Sequence, residues 1–165
     1  MAKQQEEFER IAMPQTRSLL RVARRLTSDP ATAEDLVQET MLSAWRGFHQ
    51  FRHGTNIRAW LFRILFNSFH AFGRKMRSGP KIVPLDDEFQ SDSRMQQAVE
   101  ISQALDELPV EQRIVVLLSI VEGFTCQEAS QILAIPIGTV MSRLGRARQV
   151  LRDRLSPKYS AKEAS

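Results

Sequence analysis

The sequence predicts an all-α protein of two small helical domains joined by a flexible linker, on three observations. Apolar residues recur at helical spacing through both halves, positive charge is sorted into two separate stretches, and the segment between them is acidic and punctuated by Pro80 and Pro84. From Thr40 to Leu85 there is no acidic residue but eight basic ones (Arg46, Arg52, Arg58, Arg63, Arg74, Lys75, Arg77 and Lys81). Ala129 to Arg152 repeats the pattern with Arg143, Arg146, Arg148 and Arg152. A net charge of +4 conceals this sorting, because eight acids (Asp86, Asp87, Glu88, Asp92, Glu100, Asp106, Glu107, Glu111) lie between with Arg94 as their only basic companion. Two basic platforms imply a polyanion held at two places. Taken singly, either run is also what a solvated helix face looks like.

With 165 residues to divide, each half is near the lower size limit for a self-sufficient core. A hydrophobic content of 42% is that of a globular protein, with mobility expected only in the linker and after Pro157. No apolar run approaches the roughly 20 residues needed to span a bilayer. The N-terminus, with Glu6, Glu7 and Glu9 and no apolar core, does not read as a signal peptide. A single cysteine, Cys126, excludes an intramolecular disulfide framework and fits a reducing cytoplasm.

In the first half, Phe8, Ile11, Leu19, Val22, Ala23 and Leu26 follow helical spacing, with Pro14 expected to break and restart the pattern. Asp29 followed by Pro30 signals the next helix, since the carboxylate can cap free N–H groups and proline suits the first helical position. Val37, Met41, Ala44, Trp45 and Phe48 then form a stripe expected to face the core, opposite Asp35, Gln38, Glu39, Leu42 and Arg46. After Gly54 and Thr55 another helix should place Leu61, Ile64, Leu65 and Phe72 on an apolar side. Arg63, Asn67, His70 and Arg74 fall on a second side that is basic and free of acid, suited to phosphates and base edges. Trp60, Phe62, Phe66, Phe69 and Phe72 crowd the same helix; most should pack inside, with one or two left to stack on unpaired bases.

In the second half, residues 99–105 and 113–121 read as helices separated by Leu108-Pro109 and stopped by Gly123. Thr125 with Glu128 three residues on forms a capping box for a short helix over 127–133. Ala134-Ile135-Pro136 makes a tight turn into a long helix over 138–155. Val140, Leu144, Ala147 and Leu151 should be buried there, with Thr139, Ser142, Arg143 and Arg146 projecting. A short helix, a brief turn and a second helix opening with polar and basic residues make a helix-turn-helix, whose second helix enters the DNA major groove. The plainer reading is a helical hairpin with a solvated arginine face.

Three segments together resemble one family. They are Ala33-Glu34-Asp35-Leu36-Val37-Gln38-Glu39-Thr40 with Ala44-Trp45; Gly54-Thr55-Asn56-Ile57-Arg58-Ala59-Trp60-Leu61-Phe62-Arg63-Ile64-Leu65 with Asn67; and Pro136-Ile137-Gly138-Thr139-Val140-Met141-Ser142-Arg143-Leu144 with Arg146-Ala147-Arg148. In this order and spacing they look like an extracytoplasmic-function (ECF) sigma factor of the sigma-70 family. The resemblance implies a promoter-specificity subunit of bacterial RNA polymerase, with sigma region 2 over 8–77, a linker over 78–97 and sigma region 4 over 98–157. It implies that Asp35, Gln38, Glu39 and Leu42 meet the clamp helices of the polymerase largest subunit, with a further contact to the flap region. Arg58, Arg63, Asn67, His70 and Arg74 would engage the minus-10 element, where a base leaves the stack and recognition is coupled to melting. Thr139, Ser142, Arg143 and Arg146 would read the minus-35 duplex, with Arg148 on phosphate. The linker acids Asp86, Asp87 and Glu88 would thread toward the active-site channel.

The chain departs from the family's commonest pattern, which has lysine where Met141 stands and a bulkier residue where Gly145 stands. It shares residues 138–144, the Phe48-His49-Gln50-Phe51 corner and the Gly54-Thr55-Asn56 turn with the oxidative-stress subgroup. Members of that subgroup are held by a zinc-containing anti-sigma factor, so such a partner and a stress response are implied here. Any zinc would be the partner's: His49 and His53 are four apart, but Gly54 interrupts the helix and no third ligand is near. No metal or cofactor is expected in this chain, and Cys126 reads as a packing residue. A cytoplasmic place follows, at the nucleoid when polymerase is bound. An enzyme is disfavoured because no Walker loop, paired catalytic carboxylates or Cys-His arrangement is present. The alternative is a helix-turn-helix regulator acting on duplex DNA without polymerase, which leaves the Asp35 stripe and the Asn67 helix unexplained.

Overall fold

In the computed structural model the residues described are 1–27, 29–73 and 92–163, with side chains given through residue 73 and then from 94 to 156. All regular structure among them is helical, and the chain divides into two compact units. Lys75, Arg77, Lys81, Asp86, Asp87 and Glu88 lie outside the described residues, as does most of the expected linker.

The first unit runs α1 (Ala2–Ile11), a single 3₁₀ turn (Met13–Gln15), α2 (Thr16–Leu26), α3 (Pro30–Gly47), a second 3₁₀ turn (Phe48–Gln50) and α4 (Ile57–Phe72). Pro14 sits inside the first 3₁₀ turn, so the missing donor falls where the helix is being restarted. Asp29 caps α3 as its chemistry requires: its carboxylate accepts from the Thr32 amide at 2.9 Å and from the Thr32 hydroxyl at 2.5 Å, with Pro30 in the first turn. Packed against both α2 and α4, α3 is the centre of the unit. Leu19, Val22, Ala23 and Leu26 from α2 meet Ala33, Leu36, Val37 and Ala44 from α3, and Leu61, Phe62, Leu65, Phe66 and Phe69 from α4 complete the core.

Two core expectations are corrected here. Trp45 is 36% exposed: its ring meets that of Phe8 in a T-shaped contact at 5.2 Å, and the residue borders an open depression with Gln5, Glu9 and Met13. Phe72 is 48% exposed although helical spacing puts it on the same side as Leu61 and Leu65, because it is the last residue of α4 and Gly73, with φ +60, turns the chain away. The buried arc of α4 is carried instead by Phe62, Phe66 and Phe69.

The second unit comprises α5 (Asp92–Glu107), α6 (Val110–Val116) continuing into a π-helical turn (Leu117–Val121), α7 (Cys126–Leu133) as far as Ser130, and α8 (Ile137–Glu163). Thus α5 already begins within the residues assigned to the linker, and α8 runs past residue 155. Both α5 and α6 pack on α8. Their interior is aliphatic: Leu105, Leu108, Ile114, Val115, Val116, Leu117, Leu118, Val140 and Leu144 are buried, with Phe124 as the one buried phenylalanine of the unit among the described residues. The turn between α5 and α6 is held by Arg113. Its Nε donates to the Leu105 carbonyl at 2.9 Å and its Nη2 to those of Asp106 and Leu108 at 2.7 and 3.0 Å. One guanidinium thereby ties together carbonyls at and just beyond the end of α5, where helical donors run out. Burial pulls the Arg113 pKa down and the Asp106 carboxylate pushes it back up; an arginine starting so high stays charged. Gly123, with φ +75, closes the π turn, and the Thr125–Glu128 capping box forms in both directions at 3.1 Å.

Candidate partner and nucleic-acid interfaces

The buried residues of α3 (Ala33, Leu36, Val37, Thr40 and Ala44) fix which arc of that helix faces solvent. Asp35, Gln38, Glu39 and Leu42, at i, i+3, i+4 and i+7, fall together on it. Leu42 is 51% exposed, an apolar centre between Asp35, Gln38, Glu39 and the exposed Arg46. Glu39 accepts a hydrogen bond from the Ser43 hydroxyl at 3.2 Å, while Asp35 and Gln38 have no partner among the described residues. A ready apolar patch with an acidic rim suits a partner surface that is basic around an apolar point.

Asn56 caps α4 by accepting from the Ala59 amide at 3.2 Å, just after a turn in which Gly54 takes φ +85. Opposite the phenylalanine arc, Arg63, Asn67 and His70 are exposed and share one face. Arg63 and Asn67 have no partner among the described residues, and the His70 ring lies 5.6 Å from that of Phe69. Arg58 stands apart, about 140° round the helix from Arg63 at 3.6 residues per turn. Its guanidinium covers the Phe62 ring at 5.8 Å, a cation–π contact. Arg74 lies outside the described residues. Of the five aromatics on this helix, Phe62, Phe66 and Phe69 are buried and Trp60 leans on Phe51 at 5.2 Å. Phe72 is left as the ring open to stacking.

The α7–α8 turn is closed by short bonds. The Ile135 amide donates to the Ser130 carbonyl at 3.2 Å and the Ser130 hydroxyl to the Ile135 carbonyl at 2.6 Å, while Ala134 takes the left-handed φ +54. Val140, Leu144 and Ala147 are buried, and Leu151 half-buried, so Thr139, Ser142, Arg143 and Arg146 are turned outward on one arc. Arg146 is exposed with no partner among the described residues. Arg143 is half-buried, and its Nη1 donates to Glu111 Oε2 of α6 at 3.3 Å. The sequence reading missed that contact; Glu111 belonged to an acidic run, and only the packing of α6 on α8 brings it to Arg143. Arg148 points the other way, on an arc with Met141, Gly145 and Arg152. A Cβ at Gly145 would meet nothing within 4 Å, so the fold does not itself demand glycine there.

His53 Nδ1 lies 2.9 Å from Glu7 Oε1, and His49 Nε2 lies 3.3 Å from Gln50 Nε2. Among the described residues no three His, Cys, Asp or Glu side chains group closely enough to hold a metal, and no helix is long and apolar enough to cross a membrane.

Two family models match the chain: Sigma-70 region 2 over residues 15–78 and Sigma-70, region 4 over residues 98–151. Among curated relatives, the ECF RNA polymerase sigma factor SigM of Mycobacterium tuberculosis (strain ATCC 25618 / H37Rv) is 34% identical over 144 residues, 86% of this chain and 73% of that protein. The ECF RNA polymerase sigma factor EcfG of Rhodopseudomonas palustris (strain TIE-1) is 36% identical over 141 residues, 81% of this chain and 77% of that one. The sigma factor RpoE of Bartonella quintana, solved in complex with the anti-sigma factor NepR, aligns with a TM-score of 0.78 and 31% identity, covering 92% of this chain and 98% of that one.

Proposed function

The chain belongs to the ECF RNA polymerase sigma factors of the sigma-70 family, and from that premise we propose how its two helical units divide the work. As a member it is an initiation factor that directs core polymerase to promoters and assists their melting, and it is not itself a catalyst. A helix-turn-helix regulator working without polymerase is thereby set aside.

The first unit docks on core polymerase through Asp35, Gln38, Glu39 and Leu42, an acidic-rimmed apolar patch against the basic clamp helices. Its α4 face, with Arg63, Asn67 and His70, tracks the minus-10 strand, and Arg58, from another side of the helix, and Arg74 add attraction for its phosphates. In the second unit Thr139, Ser142, Arg143 and Arg146 enter the minus-35 major groove, and Arg148 contributes phosphate attraction from its own arc. An anti-sigma factor holds the protein inactive, as the Bartonella sigma factor is joined to the anti-sigma factor NepR in its solved structure; the finer form of this reading is a zinc-bearing partner. Work on polymerase puts the protein in the cytoplasm, at the nucleoid during initiation.

The observation that carries this reading is the presence in one chain of two unlike surfaces: the acid-rimmed Leu42 patch, which has no use on DNA, and the basic faces of α4 and α8, which do. Run-off transcription tests it. With bacterial core enzyme the chain should initiate from promoters bearing matching minus-10 and minus-35 elements, and without core it should bind promoter duplex weakly. Tight sequence-specific binding by the chain alone, with no stimulation of transcription, would overturn it.

A further inference from the structure

The contact between Arg143 and Glu111 joins two helices, and both ends are anchored. Glu111 lies in the first turn of α6, where the helix dipole favours a carboxylate. The packing of α6 on α8 brings Glu111 to Arg143, with the Glu111 side chain 47% exposed and that of Arg143 29%. The start of α6 is itself fixed by Arg113, which ties it to the last carbonyls of α5. On the other side, Arg143 leaves α8 between the buried Val140, Leu144 and Ala147. The carboxylate takes up Nη1 and leaves Nε and Nη2 of the same guanidinium as a planar pair of donors without another partner among the described residues.

We infer that Glu111 is a positioning residue for promoter recognition: it braces Arg143 so that the remaining two donors are presented edge-on to a base of the minus-35 duplex. This rests on the reading of α8 given above. The physical gain is of two kinds. An arginine free to swing satisfies itself on the nearest phosphate and carries no sequence information, whereas one already held in its reading geometry has less side-chain entropy to lose on binding a base edge. A carboxylate beside the groove also repels phosphates, so it lowers affinity for every DNA sequence while sharpening the choice among them. A merely structural ion pair would do neither. Arg146, one turn on and unbraced, contrasts with Arg143 on the same arc.

The test uses holoenzyme reconstituted from the full chain and bacterial core polymerase, transcribing a barcoded promoter library randomised across the minus-35 element. Sequencing transcripts gives the base preference at each position. Arg143→Ala should flatten one or two adjacent positions by about tenfold, the range of a lost bidentate base contact. Glu111→Gln should flatten the same positions about two- to fivefold, as expected of an exposed ion pair, while raising transcription from poorly matched members of the library. Glu111→Asp should recover part of the preference. In an Arg143→Ala background, Glu111→Gln should leave the preferences unchanged. Thermal unfolding of each variant separates a loss of fold from a loss of reading. If Glu111→Gln leaves those positions intact, flattens all positions alike, or acts equally without Arg143, the bracing role is wrong. If Arg143→Ala itself flattens nothing, the underlying reading of α8 fails instead.

Discussion

The outward arcs of α3 and α8 carry the proposed contact residues at the same i, i+3, i+4, i+7 spacing but are built differently. On α3 the arc has an exposed leucine at its centre, and Asp35 and Gln38 are unengaged. On α8 the arc has no large apolar group, and one of its arginines is already held by a neighbouring helix. A protein partner supplies its own apolar surface and tolerates side chains that settle on contact. A DNA duplex offers the same phosphate everywhere, so donors meant for bases must be aimed beforehand. The cores beneath differ too, with Phe48, Phe62, Phe66 and Phe69 filling the first unit and mainly aliphatic side chains the second.

The largest expected effect comes from the aromatic core. Phe66→Ala should cost about 3–5 kcal/mol, the usual range for emptying a buried phenylalanine site, measured by chemical denaturation of the full chain with a probe in the first unit. A cost near 1 kcal/mol would mean that this core collapses easily and that the two interiors differ less than their composition implies. Next is Arg113→Met, which removes the donors to the Leu105, Asp106 and Leu108 carbonyls. A loss of about 2–3 kcal/mol is expected, from the worth of hydrogen bonds to a charged group.

A crossed pair of substitutions sharpens the contrast between the two faces. Leu42→Asp should weaken core binding about tenfold, roughly 1.4 kcal/mol, by placing charge at the centre of the docking patch. It should leave the minus-35 preferences of whatever holoenzyme forms unchanged. Arg146→Ala should do the reverse, relaxing one minus-35 position with core affinity intact. If either change moves both readouts, the division of labour is wrong. The smallest effect is Asp29→Ala, expected to cost about 1 kcal/mol through loss of the α3 cap and visible as a lowered unfolding midpoint.

Local chemistry was the legible part of this protein. Asp29-Pro30, Thr125 with Glu128, and the stop at Gly123 each involve residues a few positions apart, and each formed as their side chains dictate. The helix-turn-helix was legible for the same reason. On α4, periodicity alone did not separate the buried arc of Phe62, Phe66 and Phe69 from the exposed Phe72, because aromatics lie on several sides and the helix end decides the outcome. Trp45 lies on the expected stripe yet stays 36% exposed beside an open depression, which spacing alone does not reveal. The Arg113 clamp and the Glu111–Arg143 contact depend on how helices distant in sequence pack, and no spacing rule carries that information.

On the proposed reading, the chain acts as a subunit of polymerase that docks through the α3 face. Fluorescence anisotropy of the labelled full chain, titrated with purified bacterial core enzyme at low salt, tests it most directly. Saturable one-to-one association, lost when Asp35 and Gln38 are replaced together, is the predicted result. No association, or association indifferent to that replacement, would contradict it.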